Sequence, residues 1–191
     1  KENLKIINSQ IKQIENLVNE FSDFARMPKP TLKRNNLVKL LNENIKLLSE
    51  VNKSIEINLN KKDEEILLEC DKEQISRVFI NLIKNSIESI EQKLEKNPDF
   101  KKKILIDISS NNDHILISIE DNGVGFDKNN IKEILNPYYT TKKNGTGLGL
   151  SIVNKIINDH KGELEFIPIK NGAKIQIRFY LNDNRNINSW W

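Results

Sequence analysis

Apolar residues recur at alternating steps of three and four through the first 26 positions: Leu4, Ile7, Ile11, Ile14, Val18, Phe21 and Ala25. Lys, Asn, Gln and Glu fill most of the gaps. This is the seam of one amphipathic helix, and such a seam needs a partner helix to cover it. No other segment is long enough to pair with it along its length. The expected cover is a helix outside this sequence, a second copy of the chain, or both; docking on the chain's own domain is the alternative. Met27-Pro28-Lys29-Pro30 ends the helix, because proline lacks a backbone donor and restricts the residue before it. A domain boundary is expected there.

The helical period returns over residues 37–50, with Leu37, Leu40, Leu41, Ile45 and Leu48 on one side. Two short strands follow, at 54–59 with Ile55, Ile57 and Leu59 on one face, and at 65–69. Asp71 is placed to cap the next helix, with Gln74 at its third position. That helix runs over 72–94 and buries Ile75, Val78, Phe79, Leu82, Ile83, Ile87 and Ile90. A turn is expected at Asn97-Pro98-Asp99. Alternating strands at 102–109 and 114–120 flank Asn111-Asn112-Asp113 as a hairpin. Residues 121–150 are rich in Gly and polar groups and lack a period; a loop of that length binds something or moves. A helix over 150–160 ends at Lys161-Gly162, and a hairpin of 163–168 and 173–181 turns at Asn171-Gly172. The order fits the α+β class: a two-layer α/β sandwich, with helices on one face of a mixed, mainly antiparallel sheet. The domains are then 1–27, a linker at 28–35, a main domain at 36–181 and a tail at 182–191.

A length of 191 residues suits one modest domain and a short extra element. Thirty basic against 27 acidic residues leave a net charge of +3, with the signs well mixed. Nucleic acid is not expected as a partner, since no basic cluster with interleaved aromatics is present. The single cysteine, Cys70, has no internal partner, which fits a reducing compartment. No run approaches the roughly 18 apolar residues of a spanning helix. The chain opens at Lys1 inside a helical pattern, without Met or cap, so a piece of a larger protein is expected.

Three stretches carry chemistry. Asn81 and Asn85, four apart on the long helix, share a face beside the apolar stripe. A carboxamide oxygen suits Mg²⁺, though two surface residues of an Asn-rich chain would look the same. Asp121-Asn122-Gly123-Val124-Gly125-Phe126 follows a strand directly. The Asp accepts hydrogen bonds only, as recognition of an exocyclic amine such as that of adenine requires, and the glycines let a base approach the backbone. The alternatives are an ordinary Asn-Gly turn or a calcium loop, and the regular oxygen-ligand spacing of the latter is missing. Gly145-Thr146-Gly147-Leu148-Gly149-Leu150 opens a helix. Its exposed amides and the helix N-terminus favour polyphosphate, with a flexible hinge as the alternative. It is neither a P-loop nor a dinucleotide fingerprint. Between these pieces lies Pro137-Tyr138-Tyr139-Thr140-Thr141-Lys142-Lys143, whose lysines could reach a terminal phosphate.

Taken in order, these four pieces resemble the N, G1, F and G2 boxes of bacterial two-component sensor histidine kinases, members of the Bergerat-fold ATP-binding superfamily. The resemblance covers residues 36–181. Phe21-Ser22-Asp23-Phe24-Ala25-Arg26-Met27-Pro28-Lys29-Pro30 resembles the end of the second helix of a dimerisation and histidine-phosphotransfer hairpin, most like the NtrY class of nitrogen-regulation kinases. The resemblance implies ATP and Mg²⁺ as cofactors. It implies Asn85 as metal ligand, Asn81 beside the phosphates, Asp121 on the adenine amino group, and Gly123, Gly125 and Phe126 around the base. Thr141 and Lys142 would stand near the terminal phosphate. Gly145, Thr146, Gly147, Leu148, Gly149 and Leu150 would shape a mobile lid. Asn81, Asn85 and Lys142 are then the catalytic set. Many sensor kinases carry a basic residue three after the metal Asn; here Glu88 stands there, with Lys84 or Arg77 as substitutes. The superfamily's hydrolases usually carry a Glu where Asn81 stands, and an amide cannot serve as a general base.

The implied activity is that of a protein histidine kinase: transfer of the ATP γ-phosphoryl group to a histidine, then to an aspartate of a response regulator, NtrX-like by the same resemblance. Neither His114 nor His160 follows the acceptor motif, so the acceptor is expected upstream of Lys1. The parent is expected to be an inner-membrane homodimer with this region in the cytoplasm. The competing readings are an ATPase of the same superfamily and an interaction module whose boxes have decayed.

Overall fold

A computed structural model describes residues 2–95, 99–126, 133–142 and 145–181. Asn97 and Pro98 of the expected turn, Lys143, and the tail with Trp190-Trp191 lie outside the described residues. Helix α1 (Glu2–Ala25) leads to strand β1 (Lys33–Asn36) and helix α2 (Leu37–Val51). Strands β2 (Glu56–Lys61) and β3 (Leu67–Cys70) precede the long helix α3 (Lys72–Leu94). Then come β4 (Lys103–Ser110), β5 (His114–Asp121), helix α4 (Gly149–Asp159), β6 (Gly162–Pro168) and β7 (Ala173–Tyr180).

Five strands form the main sheet in the order β2-β4-β5-β7-β6. β2 runs parallel to β4, and every other neighbouring pair is antiparallel. The alternation read in the sequence sets the two faces. Ile106 stands opposite Ile119, Ile108 opposite Ile117, and Ile117 opposite Ile177, all buried under the helices. The other face is polar: Lys174 pairs with Glu120 at 3.3 Å, and Asn60 donates to Asp107 at 3.0 Å. Helices α2, α3 and α4 cover the apolar face with Leu37, Leu41, Ile75, Phe79, Leu82, Ile83, Val153 and Ile156. The two-layer sandwich expected from the sequence is the architecture found.

The strands differ from expectation in one place. The 54–59 and 65–69 segments do not share a sheet. β2 joins the main sheet, while β3 pairs antiparallel with β1 in a separate two-stranded ribbon. β1 lies in a stretch that reads as linker, because Lys-Arg-Asn-Asn has no apolar alternation. Its last residue also starts α2: Asn36 Oδ1 accepts from the amides of Val38 and Lys39 at 3.0 and 3.4 Å.

Asp71 caps α3 as expected, accepting from Glu73 N and Gln74 N at 3.0 and 3.1 Å, and its other oxygen accepts from Thr31 N at 2.9 Å. Burial pushes this carboxyl up, but the three amides outweigh it and hold the group below the ordinary carboxylate range. The reciprocal half of a capping box is not formed. Gln74 Nε2 instead donates to Pro28 O at 3.0 Å, tying the residues after α1 to the start of α3. The Asp71 amide donates to His160 Nε2 at 3.0 Å, while His160 Nδ1 lies 2.8 Å from Ile156 O. Those two bonds fix the Nδ1-protonated tautomer and lock the end of α4 to the start of α3.

Along α1 the seam faces outward. Leu4, Ile7, Ile11, Ile14 and Val18 are each about half exposed or more, so the helix is not docked on its own domain over that length. Phe21 is the exception at the C-terminal end: its ring stacks on Tyr138 with centroids 6.5 Å apart. No helix among the described residues is long and apolar enough to cross a membrane. His160→Ala leaves the Asp71 amide without its acceptor inside the helix junction. It is expected to lower stability by about 1–3 kcal/mol in urea denaturation.

Candidate functional site

Helix α3 brings the candidate residues together. Its apolar stripe is buried, and the polar positions Asn81, Asn85 and Ser89 follow one another at four-residue steps along the stripe's edge. Each touches a different segment of the 121–150 region.

Asn81 Nδ2 donates back to Arg77 O at 2.9 Å, which leaves its oxygen facing the start of α4. A Cβ placed on Gly149 would lie 3.5 Å from that oxygen. The N-cap of α4, Leu148, offers no capping side chain, so among the described residues no side-chain cap serves the first-turn amides. One turn along α3, Asn85 Oδ1 accepts from Lys142 Nζ at 2.9 Å. The same ammonium pairs with the Glu88 carboxylate. Arg77 and Lys84 lie with Asn81 along a surface groove of about 440 Å³ on α3, rather than at the Asn85–Lys142 contact.

Ser89, a further turn along, meets the end of β5. Asp121 is 6% exposed, and its Oδ1 accepts from Gly123 N at 2.9 Å and from Ser89 Oγ at 3.3 Å. Val124 N lies 3.1 Å from Ser89 Oγ. The strand end can come this close only without a side chain at 123. A Cβ there would sit 2.2 Å from Ser89 Oγ and 2.5 Å from the Ser89 carbonyl carbon. Burial pushes the Asp121 carboxyl up, against the opposing effect of donors on Gly123, Ser86, Ser89 and Ala173. Gly125 stands against the Gly172 carbonyl in the β6–β7 turn, which in turn presses on the Asp121 backbone.

The residues before the glycine-rich segment pack onto it. Tyr138 N donates to Gly147 O at 3.1 Å. Gly147 has φ +70°, and a Cβ on it would lie 2.4 Å from the Tyr138 carbonyl carbon. Both the backbone conformation and the contact therefore require glycine. Gly145 packs beside Thr140, whose Oγ1 accepts from Lys142 N at 3.1 Å. Thr146 Oγ1 accepts from Leu148 N at 3.4 Å.

Four candidates have packing contacts or lie at the rim. Phe126 meets Phe166 edge to face at 5.3 Å. Leu148 is fully buried in the core, and Leu150 packs against it. Thr141 is exposed. Conversely, Ser86, Ser89 and Gly172 are parts of the Asp121 site that the sequence reading did not single out. The signal for Ser89 was its place four residues after Asn85. His160 has both ring nitrogens engaged, and His114 opens β5, so neither stands at this site.

The profile of the Histidine kinase-, DNA gyrase B-, and HSP90-like ATPase family matches residues 70–183. A putative NtrY-like sensor histidine kinase of Rickettsia conorii is 35% identical over 181 residues, 94% of this chain and 29% of that protein. Sporulation kinase E of Bacillus subtilis is 33% identical over 161 residues, 83% of this chain and 21% of that protein. The chain thus spans about a fifth to a third of the length of these relatives. Among solved structures, the catalytic domain of histidine kinase ThkA superposes with a TM-score of 0.68 at 28% identity, covering 78% of this chain and 95% of that one. ThkA in complex with the response regulator protein TrrA gives 0.75 at 25% identity, over 94% of this chain and 51% of that one.

Two outcomes test the site's physics. Asp121→Asn keeps the shape but removes a desolvated ionisable group. Because the folded carboxyl is raised above its unfolded value, its stability contribution is full below about pH 4 and is lost as the pH rises. The stability of Asp121→Asn relative to wild type is therefore expected to grow from about pH 4 to pH 7, read from urea midpoints. Gly147→Ala adds backbone strain of about 1–2 kcal/mol, apart from the clash with Tyr138. Its expected effect is faster proteolytic cleavage between residues 133 and 149 with an unchanged circular dichroism spectrum.

With the family profile spanning more than half the chain, this sequence belongs to the histidine kinase-, DNA gyrase B- and HSP90-like ATPase family, as the catalytic ATP-binding domain of a histidine kinase.

Proposed function

We propose that the chain binds ATP with Mg²⁺ across the polar edge of α3 and supplies the catalytic half of a sensor histidine kinase. The observation that carries this reading is that Asn81, Asn85 and Ser89 on one helix touch, in order, the α4 N-terminus, Lys142 and the Asp121 loop. An elongated ligand with a hydrogen-bonding head and an anionic tail fits that line. Asp121 accepts from the adenine amino group, with Gly123 and Gly125 against the base. The open amides at the start of α4 receive phosphate oxygens, and Lys142 reaches the terminal one. Asn85 already holds a cation through its oxygen, so its donor chemistry fits a hard metal ion. Bound Mg²⁺ would neutralise phosphate charge and help align the terminal phosphoryl group.

These residues position and neutralise; they supply no nucleophile. The phosphoryl group goes to a histidine nitrogen on a helix outside this sequence and then to an aspartate of an NtrX-like response regulator. The exposed seam of α1 pairs in a helical bundle of two copies, residues 28–35 link it to the ATP-binding domain of 36–181, and the parent protein sits in the inner membrane with this region in the cytoplasm.

Calorimetry with Mg²⁺–ATP on three proteins tests the binding reading. Asp121→Asn has one acceptor oxygen where the carboxylate has two, and Gly123 N and Ser89 Oγ claim it. The amide then turns a donor toward the purine. ATP affinity is expected to fall about ten-fold or more, with GTP affected less. Asn85→Ala is expected to abolish the gain that Mg²⁺ brings. Equal losses for ATP and GTP in Asp121→Asn would count against base recognition. Joining an upstream helix that carries the acceptor histidine is expected to restore labelling from γ-labelled ATP.

A further inference from the structure

Lys142 is shared between two groups that the proposed reaction sets against each other. Its ammonium donates to Asn85 Oδ1 at 2.9 Å and pairs with Glu88, three residues further along the same helix face. The Asn85 oxygen is the atom that the functional reading assigns to the metal. It cannot serve an ammonium and a divalent cation together, because the two charges would stand within a few ångströms of each other. Lys142 must therefore leave Asn85 when the nucleotide site fills. Two anions can then receive it, the terminal phosphate and Glu88.

We propose that Glu88 is the positioning residue for Lys142: it parks the ammonium on Asn85 in place of the metal and competes with the terminal phosphate for it. This inference rests on the nucleotide-binding reading above. It explains an acidic residue at a position beside the phosphates, where simple attraction calls for a basic one. The pair is also suited to exchange. The Lys142 and Glu88 side chains are 37% and 50% exposed, so water screens their attraction and the contact breaks at small expense. Parking does a second thing. Lys142 lies in the segment that packs on Gly147 through Tyr138, so the ion pair ties that segment to α3 before nucleotide arrives.

The consequence is a preference set by Glu88. A diphosphate has no terminal group to pull Lys142 away, whereas a triphosphate must win it from the carboxylate. Glu88→Gln removes the competing charge and keeps the shape. In the nucleotide-free 191-residue chain, acylation of Lys142 by an N-hydroxysuccinimide ester, read by mass spectrometry, is expected to run about two- to five-fold faster in Glu88→Gln than in wild type. Lys155, paired with Asp159 on α4, is the internal control. By calorimetry with Mg²⁺ present, Glu88→Gln is expected to bind ATP about two- to five-fold more tightly with ADP unchanged. Adding Lys142→Met to Glu88→Gln should abolish that gain relative to Lys142→Met alone.

Weaker ATP binding by Glu88→Gln in the presence of Mg²⁺ only would make Glu88 a metal ligand and overturn the proposal. So would a gain that survives the loss of Lys142. A wild type that binds Mg²⁺–ATP while Glu88→Gln changes neither the acylation rate nor the ATP-to-ADP ratio overturns the role of Glu88 and leaves the binding reading intact. A wild type that binds no Mg²⁺–ATP overturns both.

Discussion

Helix α3 has to satisfy two environments along one cylinder. Ile75, Val78, Phe79, Leu82, Ile83, Ile87 and Ile90 are buried against the sheet and its neighbouring helices, and this fixes the helix's rotation. Once the rotation is fixed, the positions beside the stripe cannot choose what they face. Asn81, Asn85 and Ser89 rise about 6 Å per step, and they meet the α4 start, Lys142 and the Asp121 loop in turn. The apolar core thus sets the spacing of the polar site. A core substitution that rolls α3 would misalign all three contacts together.

The two ends of that line are held differently. At the Asp121 end, backbone packs on backbone: Gly123 against Ser89, and Gly172 against the Asp121 carbonyl. Such contacts leave no room for adjustment, which suits recognition of a rigid flat group. At the Lys142 end, the holding contacts include a screened ion pair, the hydrogen bond from Lys142 to Asn85, one backbone bond from Tyr138 to Gly147, and the stacking of Tyr138 on Phe21. Each is weak and separable. The stacking also joins this end to α1, whose apolar seam is otherwise exposed. A change at the exposed seam of α1 therefore has a physical route to the segment that carries Lys142.

The elements legible in the sequence are those whose signal is local. The helical period marked α1, α2 and α3, the alternation marked β2, β4 and β5, and Asp71 could be read as a cap because the amides it serves follow it directly. β1 could not be read, since four polar residues are held there by pairing with β3, more than thirty positions away, helped by the Asn35 side chain on Cys70 O. The capping-box reading of Gln74 failed for the same reason: its partner, Pro28 O, is distant in sequence. In the site, Asp121, Asn85, Lys142 and the glycines were visible as motif residues. Ser89 and Ser86 were not, because a serine on a helix carries no chemistry of its own until a buried carboxylate is placed against it. Phe126 and Leu148 lie within motif stretches, yet the edge contact with Phe166 and the full burial of Leu148 are tertiary facts.

The same geometry bears on the proposal that the domain holds a triphosphate for transfer to a histidine. Hydrolysis needs a group that takes a proton from water beside the terminal phosphate. Asn81 stands where the family resemblance implies a Glu in the hydrolases; its amide nitrogen is fixed on Arg77 O and its oxygen is not basic. Glu88 is the carboxylate three residues beyond Asn85, and in the nucleotide-free chain it is bound to Lys142. Asp121 is a carboxylate too, but it is buried at the far end of the line, engaged with Gly123 and Ser89. In the nucleotide-free chain, therefore, Asn81 is no base and the carboxylates of Glu88 and Asp121 are both engaged. On the proposed reading, such a pocket stabilises charge and alignment while the chemistry awaits a nucleophile that can present itself in line, as the imidazole of a neighbouring helix can.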